Sequence, residues 1–141
     1  MATMQVELVS PERVVFSGEA TMVILRTVGG GDIAFLPGHA PFLGALTEWT
    51  GQIHLPDGSV KHAAIHAGFV EVSNNTVSIL ADVAELAEDI DVARAQEQLR
   101  LAQEAMNRSD DAGAEAELRR AHARLSAAGG LSAGVARGSQ H

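Results

Sequence analysis

Several features are absent from or scarce in this sequence of 141 residues. Cysteine is missing, and no apolar run approaches the roughly 20 residues that a membrane-spanning helix needs. The first residues also lack the basic start and apolar core of a signal peptide. We therefore expect a soluble protein of a reducing compartment that is not exported.

Positive charge and aromatic residues are scarce as well. The formal net charge is -8, and Lys61 is the only lysine, so the chain lacks the clustered basic face that binds a phosphate backbone. This composition argues against nucleic acid as a partner. Only 4% of the residues are aromatic, whereas alanine is abundant towards the C-terminus, which suggests two regions with different packing.

The first part of the chain has the pattern of short strands joined by tight turns. Asp57-Gly58 and Asn74-Asn75 are hairpin signals between alternating apolar stretches. This spacing predicts an antiparallel β-sandwich or flattened barrel whose strands end near Leu80, with an acidic connector from Ala81 to Asp91. The predicted strands lie around residues 4–10, 14–16, 22–25, 33–36, 42–46, 51–55, 60–65, 69–72 and 76–80.

A stiff corner stands at the centre of this part. Pro37-Gly38 and Pro41 bracket His39, and these residues hold one polar side chain in a fixed direction. No Ser or Cys nucleophile motif accompanies this histidine in sequence. We expect His39 to cap the backbone of its own corner, and contact with a partner protein is the alternative.

Three other histidines, His54, His62 and His66, lie close enough in sequence to suggest a metal site. Residues four apart on one strand are separated by about 13 Å, so His62 and His66 are not expected to share an ion. The Asp-Gly turn would pair His54 with Lys61 and place it on the opposite face from His62. The sequence therefore predicts no metal centre.

The last part of the chain has helical periodicity. Asp91 is a good N-cap, and two alanine-rich stripes follow around a polar turn at residues 107–111, which predicts an antiparallel helical hairpin. Alanine seams bury little apolar area, so we expect weak docking elsewhere and movement of the hairpin as a unit. The stripes are Val92, Ala95, Leu99, Ala102 and Met106, then Ala114, Leu118, Ala121, Leu125 and Ala128.

The predicted fold class is thus α+β and mainly β, with three regions. Residues 1–86 form the β-sandwich domain, and residues 87–128 form the helical hairpin. Gly129-Gly130 is expected to end the second helix, which leaves residues 129–141 as a disordered tail. Arg120 and Arg124 lie one turn apart near the end of that helix, where a solvated basic cluster suits the helix dipole.

The order of motifs resembles one known family. The sequence Gly-Asp-Ile-x-x-x-Pro-Gly-His-Ala-Pro at 31–41 is followed by Gly-Phe-Val-Glu-Val at 68–72, Ile-Leu-Ala-Asp-x-Ala-Glu at 79–85, and Ile-Asp at 90–91 before the hairpin. This combination, and Val-Ser-Pro-Glu at 9–12, closely resembles the epsilon subunit of bacterial F-type ATP synthase. The resemblance covers Met4 to about Ala128.

That resemblance implies a non-catalytic rotor subunit of a proton-translocating ATP synthase. The sandwich would grip the gamma subunit and rest on the c-ring, with Asp32 and His39 in the contact regions. The hairpin would fold onto the sandwich or extend into the alpha/beta hexamer and block ATP hydrolysis. The protein would then lie at the cytoplasmic face of the bacterial cell membrane, held there through the complex. The related mitochondrial subunit would carry a transit peptide, which is not seen here.

Some members of that family bind ATP in the folded hairpin through an Ile/Leu-Asp-x-x-Arg-Ala motif. Residues 90–95 match it, so the resemblance implies Ile90, Asp91 and Arg94 as binding residues, with the second-helix pair Arg120 and Arg124 completing the site. ATP would be a regulatory ligand, and no cofactor is required. The alternative is structural, because Asp91 also serves as an N-cap and Arg94 as a surface residue.

Two other functions compete with this reading. One is a small β-sandwich ligand-binding or metal-dependent enzyme that dimerises through the helical hairpin. The other is a free-standing nucleotide sensor, although Gly29-Gly30-Gly31 lacks the Lys-Ser/Thr of a phosphate-binding loop. An enzyme needs convergent polar groups in a pocket, whereas a stalk subunit needs an exposed patch on the sandwich.

Overall fold

A computed structural model of the chain describes the backbone of residues 2–108 and 112–138, and the side chains of residues 2–108 and 112–129. It confirms an α+β, mainly β fold in which a β-sandwich precedes two helices. The strands are β1 (Met4–Val9), β2 (Val14–Ala20), β3 (Met22–Thr27), β4 (Gly31–Phe35), β5 (Phe42–Leu46), β6 (Trp49–His54), β7 (Val60–Ser73) and β8 (Thr76–Leu86). The helices are α1 (Val92–Arg108) and α2 (Ala112–Gly138), and a 3₁₀ turn (Ala87–Asp89) precedes α1.

The strands form one sheet that folds over on itself. Its order is β2-β1-β8-β7-β5-β3-β4, and β6 pairs with both β3 and β7. The expectation of a wholly antiparallel sandwich is wrong at one place, because β1 and β8 pair in parallel. A parallel pair needs a long crossover connection, and the six intervening strands provide it.

The two longest strands, β7 and β8, connect the halves of the sandwich. The predicted strands at 60–65 and 69–72 are one strand, β7, which bends at Ala67 and Gly68 with φ of 63° and 138°. The predicted acidic connector from Ala81 is also wrong, since β8 continues to Leu86. Strand structure persists there because Ala81 and Ala84 are buried in the core while acidic Asp82 remains exposed.

The core of the sandwich lies between the two halves of the folded sheet. It is built from alternate residues of nearly every strand, because a strand directs every second side chain to one face. Its largest fully buried side chains are Phe35, Leu8, Leu25, Ile53, Ile79, Val6, Val23, Val70, Val72 and Val77.

The β6–β7 hairpin has a different register from the predicted one. His54 pairs with Val60 rather than Lys61, so His54 and His62 lie on the same face of the sheet. The loop is one residue shorter than the predicted pairing requires, because Gly58, with φ of 91°, donates its N–H to Leu55 and closes a tight turn. Among the residues whose side chains are described, no three His, Asp or Glu residues are grouped so that they could hold a metal ion.

The helices form the predicted hairpin, although the turn at 107–111 lies mostly outside the described residues. The expectation that α2 ends at Gly129-Gly130 is wrong, because α2 continues to Gly138. Glycine costs about 1 kcal/mol in a helix but keeps its N–H group, so it weakens a helix without interrupting its hydrogen bonds. Residues 139–141 lie outside the described part of the chain. No helix in the described part is long and apolar enough to cross a membrane.

Helix α2 lies between α1 and the sandwich. Ala123 and Ala127 pack in a cluster with Ala64 of β7 and with Ala87 and Ile90. Ala121 is also fully buried, and it points to the other side of α2, because two residues turn a helix by about 200°. The alanine stripe predicted from the sequence forms the seam with α1, whereas this second buried face was not predicted. The hairpin is thus folded down on its own sandwich through small side chains.

Candidate functional site

A cavity of about 220 Å³ lies where the end of β8, the 3₁₀ turn and both helices meet. Two guanidinium groups and three carboxylates surround it, so the cavity is strongly polar. The lining residues are Glu85, Asp89, Asp91, Arg94, Ala95, Gln98 and Arg124.

Asp91 and Arg94 are placed by the start of α1. The Asp91 carboxylate accepts a hydrogen bond of 3.0 Å from the Arg94 backbone N–H, and its carbonyl accepts from the Ala95 N–H. This geometry confirms Asp91 as the N-cap. The Arg94 side chain is exposed, and within residues 2–108 and 112–129 its guanidinium has no ion pair. Arg94 therefore presents an available cation at the cavity.

Arg124 of α2 is held at the opposite side of the cavity. Its Nε donates to Glu85 of β8 at 2.7 Å, and its NH1 group donates to Gln98 of α1 at 3.0 Å. Glu85 also accepts from the buried ring of His66 at 3.1 Å. The pKa of Glu85 is lowered to about 2, first by the hydrogen bond from His66 and then by Arg124. Glu85 is therefore ionised at neutral pH.

The structure brings together three of the five residues that the family resemblance implies for ATP. Asp91, Arg94 and Arg124 line one cavity. Ile90 does not line it and instead packs in the alanine cluster below, and Arg120 pairs with Glu117 on its own helix. That ion pair uses i,i+3 spacing and directs Arg120 along the surface of α2.

Sequence reasoning missed Glu85, Asp89 and Gln98 as lining residues. Helical spacing could have found Gln98, because it lies four residues after Arg94 and therefore on the same face of α1. Glu85 could not be found in this way, since its position depends on the extension of β8 past Leu80. Its pairing with Arg124 joins residues that are 39 positions apart.

The two predicted partner-contact residues lie elsewhere on the sandwich. His39 is half-buried, its Nδ1 is 2.7 Å from the Ala40 carbonyl, and its ring packs against Phe35 and Phe42. Asp32 is exposed on β4 and pairs with Arg26 at 2.9 Å. Arg26 also lies over the Trp49 ring at 4.3 Å from its centroid. The His39 geometry agrees with the expected contact with its own corner.

One face of the sandwich carries a row of exposed apolar side chains. In this apolar row Phe69 of β7 is directly opposite both Ala45 of β5 and Leu80 of β8, and Leu80 is beside Val9 of β1. Phe69 is 58% exposed and Leu80 is 56% exposed. Leu43, two residues before Ala45 and therefore on the same side, is 72% exposed. Contiguous exposed apolar surface of this kind marks an interaction site.

Comparison with known proteins agrees with this architecture. Residues 3–87 match the β-sandwich domain of the ATP synthase delta/epsilon chain, and residues 88–129 match its long α-helix domain. The ATP synthase epsilon chain of Streptomyces coelicolor is 46% identical over 129 residues, which cover 92% of this chain and 98% of the relative. The epsilon chain of Symbiobacterium thermophilum is 41% identical over 135 residues, which cover 93% of this chain and 96% of that relative.

The fold is also found in a solved complex. A chain of the Euglena gracilis mitochondrial ATP synthase, in a structure of OSCP, F1 and c-ring, matches with a TM-score of 0.74 and 20% identity. The match covers 93% of this chain and 82% of that chain. The alternative of a ligand-binding or metal-dependent β-sandwich enzyme is not supported. The chain belongs to the family of ATP synthase delta/epsilon chains, and it is a non-catalytic subunit.

Proposed function

We propose that this chain is a central-stalk subunit that joins the gamma subunit to the c-ring of a bacterial proton-translocating ATP synthase. The observation that carries the proposal is the apolar row, which the folded hairpin leaves uncovered. Phe69 and Leu80 stand side by side there with more than half of each side chain exposed. A stalk subunit without chemistry of its own needs such a surface rather than a catalytic pocket.

The apolar row is proposed as the binding surface for gamma. It runs across four neighbouring strands, so its side chains are held by a rigid sheet. Beside it run the carboxylates Glu7 and Glu71, each opposite Ser78 of β8. An apolar core flanked by charge is the usual composition of a protein interface. The facing surface of gamma should therefore be apolar with basic residues at its edge.

Asp32 and His39 are proposed to contact partners at other points of the sandwich. Asp32 lies on β4, the terminal strand of the sheet, beside the turn that carries Val28, which is 64% exposed. This exposed turn suits contact with the c-ring. His39 lies in the corner before β5, four residues before Leu43 of the apolar row. We propose that it contacts gamma with the part of its ring that Phe35 and Phe42 leave exposed.

The hairpin is proposed to inhibit ATP hydrolysis when it leaves the sandwich and reaches the alpha/beta hexamer. Its docking surface consists mostly of alanines, which bury little apolar area. Polar contacts between described residues supplement it, among them Thr50 with the Ala123 carbonyl, Arg124 with Glu85, and Arg119 with Glu48. Release would therefore cost little free energy, and it would leave both domains with their own internal contacts.

Locking the hairpin on the sandwich tests this role. Glu48 and Arg119 form an ion pair of 3.5 Å across the interface, and the natural chain has no cysteine. We expect that Glu48→Cys and Arg119→Cys joined by a short bismaleimide linker will remove inhibition. Hydrolysis by the reconstituted complex should then rise to the rate of the complex without this chain.

The same double variant without linker is the control for that experiment. It should inhibit hydrolysis as the unsubstituted chain does, because both side chains lie at an interface edge that is partly exposed. Equal inhibition by linked and unlinked chains would contradict the proposed role of the hairpin.

ATP is proposed as a regulatory ligand of the folded hairpin. Arg94 offers a cation without an ion pair among the described residues, and Asp91 and Asp89 offer carboxylates for a ribose, an amino group or a magnesium ion. The cavity is smaller than a typical nucleotide pocket of about 300 Å³ or more. The nucleotide would therefore extend beyond it, with its phosphates at Arg94.

We expect Mg-ATP to bind the isolated full chain saturably, and Arg94→Ala to weaken that binding by about 10- to 100-fold. A charge-assisted hydrogen bond contributes about 1.5–3 kcal/mol, which gives this range. Calorimetry measures the affinity of each variant for Mg-ATP. Arg100→Ala is the matched control, because Arg100 lies on the same helix but is held by Glu97 and Glu104. Absence of binding at millimolar Mg-ATP, or equal binding by the Arg94 variant, would rule out this site.

The complex would place the chain at the cytoplasmic face of the bacterial cell membrane. The family assignment supports a peripheral position that is reached through the other subunits. The similarity to bacterial relatives supports a bacterial source for the complex.

A further inference from the structure

The observed register of β6 and β7 brings together two histidines that the predicted register separated. His54 is opposite Val60 and Gln52 is opposite His62, so His54 and His62 are diagonal neighbours on the same face of the sheet. Residues in this diagonal relation have Cβ atoms about 7–8 Å apart, which aromatic and long side chains can bridge. The objection that the two imidazoles lie on opposite faces therefore no longer holds.

Strand β3 adds a third side chain to this face. Met22 is directly opposite His54 on the other side of β6, and such a pair has Cβ atoms about 4.5–5.5 Å apart. His54 thus has a thioether on one side and the His62 imidazole on the other. All three residues are half-buried, so each is packed in the sheet and still reachable from solvent.

The His54 ring is oriented by its neighbour on β6. Gln52 Oε1 lies 3.1 Å from His54 Nε2, and because an amide oxygen only accepts, Nε2 carries the proton and donates it. Nδ1 then keeps its lone pair. Metal-binding histidines are usually held in this way, with the second ring nitrogen donating its N–H group to an oxygen.

Both rings are also in the protonation state that binds a metal. Burial lowers the pKa of His54, and the pKa of His62 is lowered first by burial and then by the neighbouring His54 ring. The two imidazoles are therefore neutral at pH 7, and neither has to lose a proton before coordination.

The ligand types indicate which metal suits this face. Thioether sulfur is a soft ligand that selects Cu(I), and imidazole also suits copper. Among the described side chains no Asp or Glu joins the two histidines as a third ligand, and the chain has no cysteine. The set therefore lacks the carboxylates that suit magnesium, calcium or manganese and the thiolates of many structural zinc sites.

We propose that Met22, His54 and His62 form a binding site for Cu(I) on the face of β3, β6 and β7 that points away from the sandwich core. His62 also lines a cavity of about 210 Å³ beside the β6–β7 turn, together with Lys61 and Glu88, and this opening gives an ion access from solvent. The site is separate from the cavity at Arg94, whose lining includes none of the three ligands. It requires neither nucleotide nor a partner subunit.

A titration of the isolated full chain with Cu(I) tests the site. The metal is added without oxygen in competition with a chromophoric chelator, whose absorbance reports the copper that it retains. We expect one Cu(I) per chain. Loss of a ligand should cost at least the roughly 10-fold in affinity that loss of a group behind a ligand costs, so His54→Gln and His62→Gln should each weaken binding by at least about 10-fold. Met22→Leu should weaken Cu(I) binding similarly.

Two control variants and one spectrum complete the test. His122→Gln and Met106→Leu should bind Cu(I) as the unsubstituted chain does, because both residues are exposed on the helices. X-ray absorption of the copper-loaded unsubstituted chain should show one sulfur and two imidazole nitrogens around the metal, a result that does not depend on the folding of any variant. Absence of stoichiometric binding, unchanged affinity in the three ligand variants, or copper without a sulfur neighbour would overturn the proposal.

Discussion

Replacing Gly68 by alanine is expected to destabilise the sandwich by at least about 3 kcal/mol, because its backbone conformation and its surroundings both exclude a side chain. Gly68 has φ of 138°, and a Cβ atom there would lie 2.1 Å from the Leu80 carbonyl oxygen and 2.8 Å from the Ala81 Cα. Both atoms belong to the backbone of β8. Relief would require the two central strands to separate.

Urea unfolding followed by circular dichroism measures this effect, and the midpoint should fall by roughly 1–2 M. Gly29→Ala is the matched control. Gly29 also has a positive φ, of 77°, but a Cβ atom there meets nothing within 4 Å. Gly29→Ala should therefore lower the free energy of unfolding only by the backbone strain, about 1–2 kcal/mol. Equal losses at the two positions would mean that close approach to β8 is not the reason for glycine at position 68.

Replacing Phe69 by glutamate is expected to weaken binding to the gamma subunit by at least about 100-fold. Phe69 lies at the middle of the apolar row, between Ala45 and Leu80, and a buried aromatic residue at an interface centre commonly contributes 2 kcal/mol or more. The carboxylate would also have to be desolvated in the complex, close to Glu71. Surface plasmon resonance with gamma from the same synthase measures the loss.

The folded chain should tolerate this change, since Phe69 is 58% exposed and its side chain points away from the core. Leu101→Glu provides the control, because Leu101 is a similarly exposed apolar residue, at 50%, but lies on α1. It should leave gamma binding unchanged. If Phe69→Glu bound gamma as tightly as the unsubstituted chain, the apolar row would not be the gamma surface.

The candidate site shows which kinds of contact can be read from a sequence. Asp91 was predicted as the N-cap of α1, and its carboxylate does accept from the Arg94 N–H. That contact joins residues three positions apart, and helix geometry alone determines it. Arg124 was also placed on the correct helix, but its partner Glu85 was not foreseen. Their contact depends on where β8 ends and on which face of α2 meets the sheet.

The alanines of the two helices also show that a local sequence pattern does not reveal every tertiary contact. The stripe from Ala114 to Ala128 predicted one buried seam in α2, because a period near 3.6 residues marks one face. Ala123 and Ala127 are buried as well, on a second face. Alanine occurs on buried and exposed helix surfaces alike, so its pattern does not distinguish a helix with one neighbour from a helix with two.

Local sequence patterns were enough to predict the class of fold, the existence of most strands, the turns at Asp57-Gly58 and Asn74-Asn75, and the hairpin of two helices. Each of these depends on periodicity and backbone preference within a few residues. The parallel pairing of β1 with β8, the bend at Gly68, and the contacts among His66, Glu85 and Arg124 are visible only in the folded chain. These features join distant segments, and their positions follow from how the whole sheet and hairpin pack, which no local pattern encodes.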